Sequence, residues 1–311
     1  ASVQDVAEAR LPAGDVTVAV EYSTLNYKDG LCIGSGGGMV RVWPHVPGID
    51  FAGTVEASDD PRYAPGDRVV LTGWRVGESW WGGYAQKARV KADWLVPLPA
   101  GLTTRQAMAV GTAGFTAMLA LMALEAHGLT PDQGEVLVTG AAGGVGSIAV
   151  ALLAANGYQT AAVTGRPETE GYLRDLGATR IVPRADLAET VKKPLESEIW
   201  AGAIDNVGGP ILEDVLANMA LYGRIAVCGL VAEYTAGERR GPANFDQVLM
   251  KRLRIEGFFS PDFMDQGEAL TARLRQWVDA GQLSLPYDMT AGLENTLTAY
   301  ARLFTGGNVG K

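Results

Sequence analysis

The chain is poor in the residues that cross-link proteins and bind metals: its 311 residues include only 2 cysteines and 2 histidines. Cys32 and Cys228 stand far apart in dissimilar surroundings, which excludes a disulfide framework and points to a reducing, cytoplasmic compartment. Two thiols cannot build a four-cysteine zinc site, and His45 and His127 show no ligand spacing that would complete a mixed one. No metal is therefore expected. Long apolar runs are scarce as well. Stretches such as Ile148 to Ala155 are too short to cross a bilayer, and Ala1 to Arg10 carries acids without the apolar segment of a secretory signal, so no membrane partner is expected. Positive charge is in deficit: the net charge of −9 argues against a nucleic-acid partner, which needs a basic surface. It leaves room for a phosphorylated small molecule held by a few local arginines.

What remains is a globular composition, 47% hydrophobic and 20% charged, on a chain long enough for two domains. The first third reads as a small, loop-rich β unit. Val16, Val18 and Val20 alternate with Thr17, Ala19 and Glu21, and further strands are expected over Gly48 to Val55, Arg68 to Leu71 and Tyr84 to Val90. Near Met108 the character changes. A helix is expected from Gly111 to Glu125, then strand Glu135 to Thr139, helix Gly146 to Asn156 and strand Gln159 to Val163. Helix Glu168 to Leu176, strand Arg180 to Val182, strand Ala203 to Asp205, helix Ile211 to Met219 and strand Arg224 to Cys228 continue the series. Such alternation implies parallel βαβ units and a doubly wound α/β sheet. Leu253 to Phe258 adds a last strand, helix Gln266 to Ala280 follows, and the tail ends in helix Glu294 to Phe304.

The most informative local pattern is Val136 to Val138 followed by Thr139-Gly140-Ala141-Ala142-Gly143-Gly144-Val145-Gly146 and a helical stretch. Strand, glycine turn and helix start form a dinucleotide cradle: glycines let backbone approach a pyrophosphate, and helix N–H groups receive its charge. Ala141 stands where G-x-G-x-x-G has its first glycine, so the match is imperfect. The next strand ends in Thr164-Gly165-Arg166, where an NAD site would place Asp or Glu on the ribose. A hydroxyl, bare backbone and a guanidinium suit a 2′-phosphate instead, so NADPH is the expected cofactor. The competing reading is a surface arginine with no ligand.

The order of several short motifs resembles the quinone oxidoreductase branch of the zinc-free medium-chain dehydrogenases/reductases, and within it the acrylyl-CoA reductase subgroup. They are Leu25-Asn26-Tyr27-Lys28-Asp29, Val46 to Val55, Gly66-Asp67-Arg68-Val69, Gly111 to Ala117, the glycine loop, and Ile204 to Gly209. The resemblance spans nearly the whole chain. It implies a GroES-like β-rich substrate domain over residues 1–110, a Rossmann NADPH-binding domain over 111–264, and a return to the substrate domain over 265–311. It also implies one more strand before Ala1 and one after Lys311, so the sequence is expected to be trimmed at both ends. Zinc-dependent relatives place a cysteine where Asn26 stands and Gly-His-Glu where Gly48-Ile49-Asp50 stands, a set that here cannot bind catalytic zinc well.

By the same resemblance, Tyr27, Lys28 and Asp29 are the catalytic candidates, with Tyr27 beside the nicotinamide; the alternative is that Asn26 to Asp29 is only a polar turn. Thr112 is placed near the nicotinamide ribose, or else caps a helix. Ala142, Gly143, Gly144 and Val145 cover the pyrophosphate, while Thr164, Gly165, Arg166 and Arg184 hold the adenosine phosphate. Leu230, Ser260 and Asn308 fall where relatives touch cofactor. Trp43, Trp74, Trp80, Trp81 and Tyr84 either narrow a substrate pocket or belong to core and interface. The implied function is NADPH-dependent reduction of acrylyl-CoA or a similarly short enoyl-CoA by a homodimer. A broad quinone or enone reductase and a non-catalytic NADPH-binding protein are the competitors.

Overall fold

The computed structural model describes residues 1–34, 39–187, 195–234, 241–266, 272–273 and 287–311. Valine-rich segments with buried faces make the first sheet. Its strands are β1 (Val16–Ser23), β2 (Asp50–Ser58), β3 (Arg68–Thr72), β4 (Lys87–Val90) and β5 (Val96–Pro97), antiparallel in the order β4-β1-β2-β3-β5. Val16, Val18, Phe51, Val69 and Val90 are wholly buried in its core. Two register shifts kink β1 against β2, and there the backbones come close: a Cβ on Gly53 would lie 2.0 Å from Ala19 O. The strand expected over Tyr84 to Val90 begins only at Lys87, because Gly83 and Tyr84 give their N–H groups to Gly48 and Pro47 in a neighbouring loop.

Between β1 and β2 the short helix α1 (Tyr27–Ile33) is closed by a capping box between Asn26 and Asp29. After β5 comes α2 (Thr104–Ala126), longer than expected at its start, where Ala107 and Met108 pack on Ala52 of β2. By length and composition α2 could cross a membrane, which Ile148 to Ala155 could not; 67% of its apolar window is buried inside the protein, as in a core helix. It is broken at Gly111, whose φ of 49° is left-handed backbone that glycine adopts without steric cost.

The second sheet is fully parallel and six-stranded: β6 (Val136–Val138), β7 (Thr160–Thr164), β8 (Arg180–Pro183), β9 (Trp200–Asp205), β10 (Met219–Val227) and β11 (Arg254–Gly257), in the order β11-β10-β9-β6-β7-β8. Its crossovers are α3 (Gly144–Ala155), α4 (Glu170–Asp175), α5 (Arg184–Leu187), α6 (Gly209–Asn218), α7 (Val231–Tyr234) and α8 (Asp246–Met250). One face packs on α2 and α3 through Ala117, Leu121, Leu124, Ile148 and Leu152; the other packs on α6 through Val215 and Leu216. The helix expected over Glu168 to Leu176 divides into a 3-10 turn, Pro167–Thr169, and α4, as proline opens the turn. The chain runs outward from β6 in one direction and from β9 in the other, so the carboxyl ends of these neighbours flank a switch-point crevice.

The helix expected over Gln266 to Ala280 lies almost wholly outside the described residues. The last expected helix is a 3-10 turn, Leu293–Asn295, leading into α9 (Thr296–Thr305). It returns to the first sheet's side and packs on α1: Tyr300 donates to Asn26 O, and the Tyr27 and Phe304 rings lie 4.5 Å apart. Of the aromatic candidates, Trp74 stacks on Trp94, Trp80 meets Trp94 edge-on and donates to Arg89 O, and Trp43 is 58% exposed.

The close approach at Gly53 makes a stability prediction. Gly53→Ala puts a methyl group into Ala19 O and should lower the unfolding free energy in urea by about 1–3 kcal/mol; an unchanged midpoint and slope would show that β1 yields without cost.

Candidate active site

A cavity of about 1350 Å³ runs from the carboxyl ends of β6, β7 and β9 to the turn between β1 and α1. Its floor is the glycine loop. Gly140 has φ 58°, and a Cβ on Gly146 would lie 2.3 Å from Gly140 O, so loop and helix start fit only without side chains. Gly143 caps α3 with no side-chain hydrogen bond, so the first amides of α3 are left to a ligand, and Ala142 to Val145 line the cavity. Behind the loop, Thr139 donates to the buried Asp205, and Asn206 donates to Thr139 O; these bonds fix β6 and β9 at the crevice.

At one end Thr164, Gly165, Arg166 and Arg184 gather on the cavity wall. The Arg184 guanidinium lies over Gly165, where a Cβ would approach it to 2.7 Å. The Arg166 guanidinium donates to Gly306 O at 2.5 Å and Asn308 O at 2.7 Å, so it also ties β7 to the segment after α9. Asn308 lines the same wall. A bare-backbone floor under an uncapped helix start, flanked by two guanidinium groups, fits a phosphorylated dinucleotide.

At the other end lie Asn26, Tyr27, Tyr84 and Lys311. Their support is a buried pair of carboxylates. Asp50, wholly buried, accepts from Thr24 Oγ1 at 2.6 Å, Asn26 Nδ2 at 3.1 Å, Thr112 N at 3.0 Å and Thr112 Oγ1. The break at Gly111 makes this possible, since a Cβ there would stand 2.9 Å from Asp50 Oδ2. Asp29, also wholly buried, accepts from Gly48 N, Ile49 N and Asn26 N, and Tyr84 Oη lies 3.1 Å from its Oδ2. Burial, and then the nearby Asp50, raise the Asp29 carboxyl to about 6.

Not all expected residues meet in the cavity. Tyr27, Ala142 to Val145, Thr164 to Arg166, Arg184 and Asn308 line it, whereas Lys28, Asp29, Thr112, Leu230 and Ser260 do not. Lys28 is drawn away by Glu78 at 3.2 Å and by the face of Phe259. Asp29 is spent on backbone amides, and both donors of Thr112 turn to Asp50. Leu230 packs over Gly208 and is 37% exposed, while its neighbours Gly229 and Val231 face the cavity. Ser260 opens the 3-10 helix Ser260–Gln266. Of the five aromatic candidates only Tyr84 lines the cavity. Asp50, Tyr300 and Lys311 were not anticipated. Asp50 belongs to the Val46 to Val55 motif, but no local pattern there marks which N–H groups reach it.

The alcohol dehydrogenase GroES-like domain profile matches residues 12–100, and the zinc-binding dehydrogenase profile matches residues 144–275. Among the described residues no group of three or more His, Cys, Asp or Glu side chains could hold a metal ion. The chain is 64% identical over 277 residues to the acrylyl-CoA reductase AcuI of Ruegeria pomeroyi, covering 89% of this chain and 81% of that one. The YhdH oxidoreductase of Salmonella enterica, solved in complex with NADP, superposes with a TM-score of 0.87 at 49% identity, covering 99% of this chain and 93% of that one. YhfP of Bacillus subtilis, solved with NAD bound, gives 0.88 at 39%, covering 98% and 92%.

The raised Asp29 carboxyl predicts a pH effect. Its folded value of about 6 exceeds the ordinary 3.8, so the folded state holds this proton more tightly than the unfolded chain. The stability it contributes is full below 3.8 and is lost as pH rises through about 6. Urea unfolding of the wild type against Asp29→Asn should show their stability difference moving against the wild type across that window, by up to about 3 kcal/mol; a constant difference would mean that Asp29 does not titrate in it.

Proposed function

The chain belongs to the medium-chain dehydrogenase/reductase family, in its quinone oxidoreductase branch, and from that premise we propose that it reduces the C=C bond of acrylyl-CoA, or a similarly short enoyl-CoA, with NADPH. The observation that carries the reading is one continuous cavity with a phosphate cradle at one end and the Asn26–Tyr27 turn at the other. The identity of 64% to a protein named acrylyl-CoA reductase supports the substrate, and a related structure holding NADP supports the cofactor.

NADPH, when bound, supplies the hydride; the chain's residues bind, orient and polarise. The amides of Gly144 and Val145 would receive the pyrophosphate at the start of α3, beside Gly143, whose own N–H donates to Gly140 O. Thr164 Oγ1, the bare backbone of Gly165 and the guanidinium groups of Arg166 and Arg184 hold the adenosine 2′-phosphate. Gly165 lets Arg184 lie flat against the strand end. Tyr27 orients the substrate at the nicotinamide end, with its ring held by Phe304. Thr112 acts from outside the cavity: through Asp50 it fixes Asn26 and Thr24. Lys28 and Asp29 complete the turn from behind, Asp29 by setting the entry of α1. A conjugated thioester needs no Lewis acid for reduction, because its π system already draws hydride to the β-carbon.

A second reading, a quinone or enone reductase of broad specificity, is favoured by one relative, the putative quinone oxidoreductase YhfP of Bacillus subtilis, 41% identical over 297 residues. The proposed form in the cell is a cytoplasmic homodimer, for which the outer strand β11, with Ile255 37% exposed, offers a pairing edge.

Consumption of NADPH with acrylyl-CoA, crotonyl-CoA and a simple quinone, each repeated with NADH, tests the assignment. Fast turnover of acrylyl-CoA with NADPH alone is expected; preference for the quinone would move the chain to the second reading. Arg166→Ala should weaken NADPH about 10- to 150-fold while changing NADH much less, because it removes a charge-assisted phosphate contact. Equal losses in a fluorescence titration would show that Arg166 serves only the carbonyls of Gly306 and Asn308.

A further inference from the structure

Hydride addition to a conjugated carbonyl makes an anion, and the cavity must answer its charge. Five cationic residues line it among the described residues: Arg105, Arg166, Arg184, Arg302 and Lys311. Four are committed elsewhere. Arg166 and Arg184 belong to the phosphate end, Arg302 pairs with Asp288, and the Arg105 guanidinium sits 4.7 Å over the ring of Tyr287.

Lys311 is placed differently. Gly310 N donates to Ala142 O, which fixes the segment along the glycine loop. The Lys311 stem then passes Gly144, where a Cβ would come within 3.3 Å of its Cδ. Its ammonium ends at the opposite wall, donating to Asn26 Oδ1 at 2.5 Å and Leu25 O at 3.4 Å. The tip thus bridges the two halves of the cavity beside Tyr27. An ammonium has three donors; two are used in this way, and the third has no protein partner among the described residues. Burial lowers the Lys311 pKa from its ordinary value, and the nearby Asp50 and Asp29 offset part of that effect.

We propose that the Lys311 ammonium stabilises the enolate oxygen formed when a conjugated carbonyl substrate accepts hydride in this cavity. The inference rests on the reading of the site as a C=C reductase. Hydride, carrying two electrons, forms the new C–H bond at the β-carbon; NADPH is oxidised and the alkene reduced. The π pair of the C=C bond shifts to the α-carbon and carbonyl, and the oxygen takes the charge beside Lys311. A solvent proton then forms the C–H bond at the α-carbon, the oxygen regains its double bond, and Lys311 keeps its own proton throughout. Asn26 Oδ1, held through Nδ2 by Asp50 and Thr24, is the positioning group that aims the ammonium.

The test compares the wild type with Lys311→Met on acrylyl-CoA, crotonyl-CoA and a simple enone, and on a nitroalkene, whose nitronate product stabilises its own charge. The expected result is a loss in kcat of about 100- to 1000-fold on the carbonyl substrates. The loss on the nitroalkene should stay below about tenfold, since little charge is left for Lys311 to answer. The dissociation constant for NADPH, from fluorescence titration, should change less than about threefold, because Lys311 carries none of the phosphate contacts. Equal losses on both substrate classes, or a matching loss of NADPH affinity, overturn the proposal in favour of a structural strut. If Lys311→Met does not fold, Lys311→Gln replaces it under the same criteria, and Lys311→Arg should recover the carbonyl-selective part. A wild type that turns over none of the carbonyl substrates overturns the reading of the site and this inference together; wild-type turnover with an unchanged variant overturns the inference alone.

Discussion

The arrangement of the catalytic end depends on one buried carboxylate. Asp50 has no contact with solvent, and such a charge is tolerated only when its lone pairs are filled. Its partners come from distant parts of the chain: Thr24 and Asn26 from the turn after β1, and Thr112 from the broken α2. Satisfying Asp50 therefore fixes three segments against one another, and only a glycine at 111 lets the third come near enough. Thr24, Asn26 and the Thr112 amide share Asp50 Oδ2, whereas removing the Thr112 hydroxyl leaves the buried Oδ1 with no hydrogen-bond partner among the described residues, which costs more than the bond itself contributes. Asp29 plays the parallel part behind the turn, collecting the amides of Gly48 and Ile49.

The nucleotide-binding half was legible because local signals and global fold agree there. Strand β6, the glycine loop and α3 follow a pattern whose physical meaning is short-range, and the alternation of strands and helices dictates a parallel sheet. The errors lie where a long-range contact decides the outcome. Tyr84 reads as a strand residue but leaves the ladder for Pro47, and the start of α2 is drawn into helix by Ala52 across the sheet. The positions of the Lys28 and Thr112 side chains are set by long-range contacts in the same way. Both stand beside cavity residues in sequence, yet Glu78 and Asp50 turn their side chains away. Lys311 could not be found from sequence at all, since no motif surrounds it and its importance comes only from where the chain returns.

Arg166 joins the proposed phosphate end of the cavity to that return. The same guanidinium that lines the phosphate end donates to the backbone of Gly306 and Asn308. The segment that delivers Lys311 is thus anchored by the phosphate wall at one point and by Ala142 at another. Recognition at one end of the cavity and polarity at the other share a few residues of backbone.

The contact between α9 and α1 also bears on how the chain matures. Tyr300 meets Asn26 across a sequence separation of 274, with the whole parallel sheet lying between them in sequence. During synthesis the first sheet can close early, because its ladders are local, and Asp50 can already hold Asn26, but the turn lacks the contacts of Tyr300 and Phe304 until α9 has left the ribosome. The parallel sheet can thus be folded before the cavity is closed by the segment that follows α9.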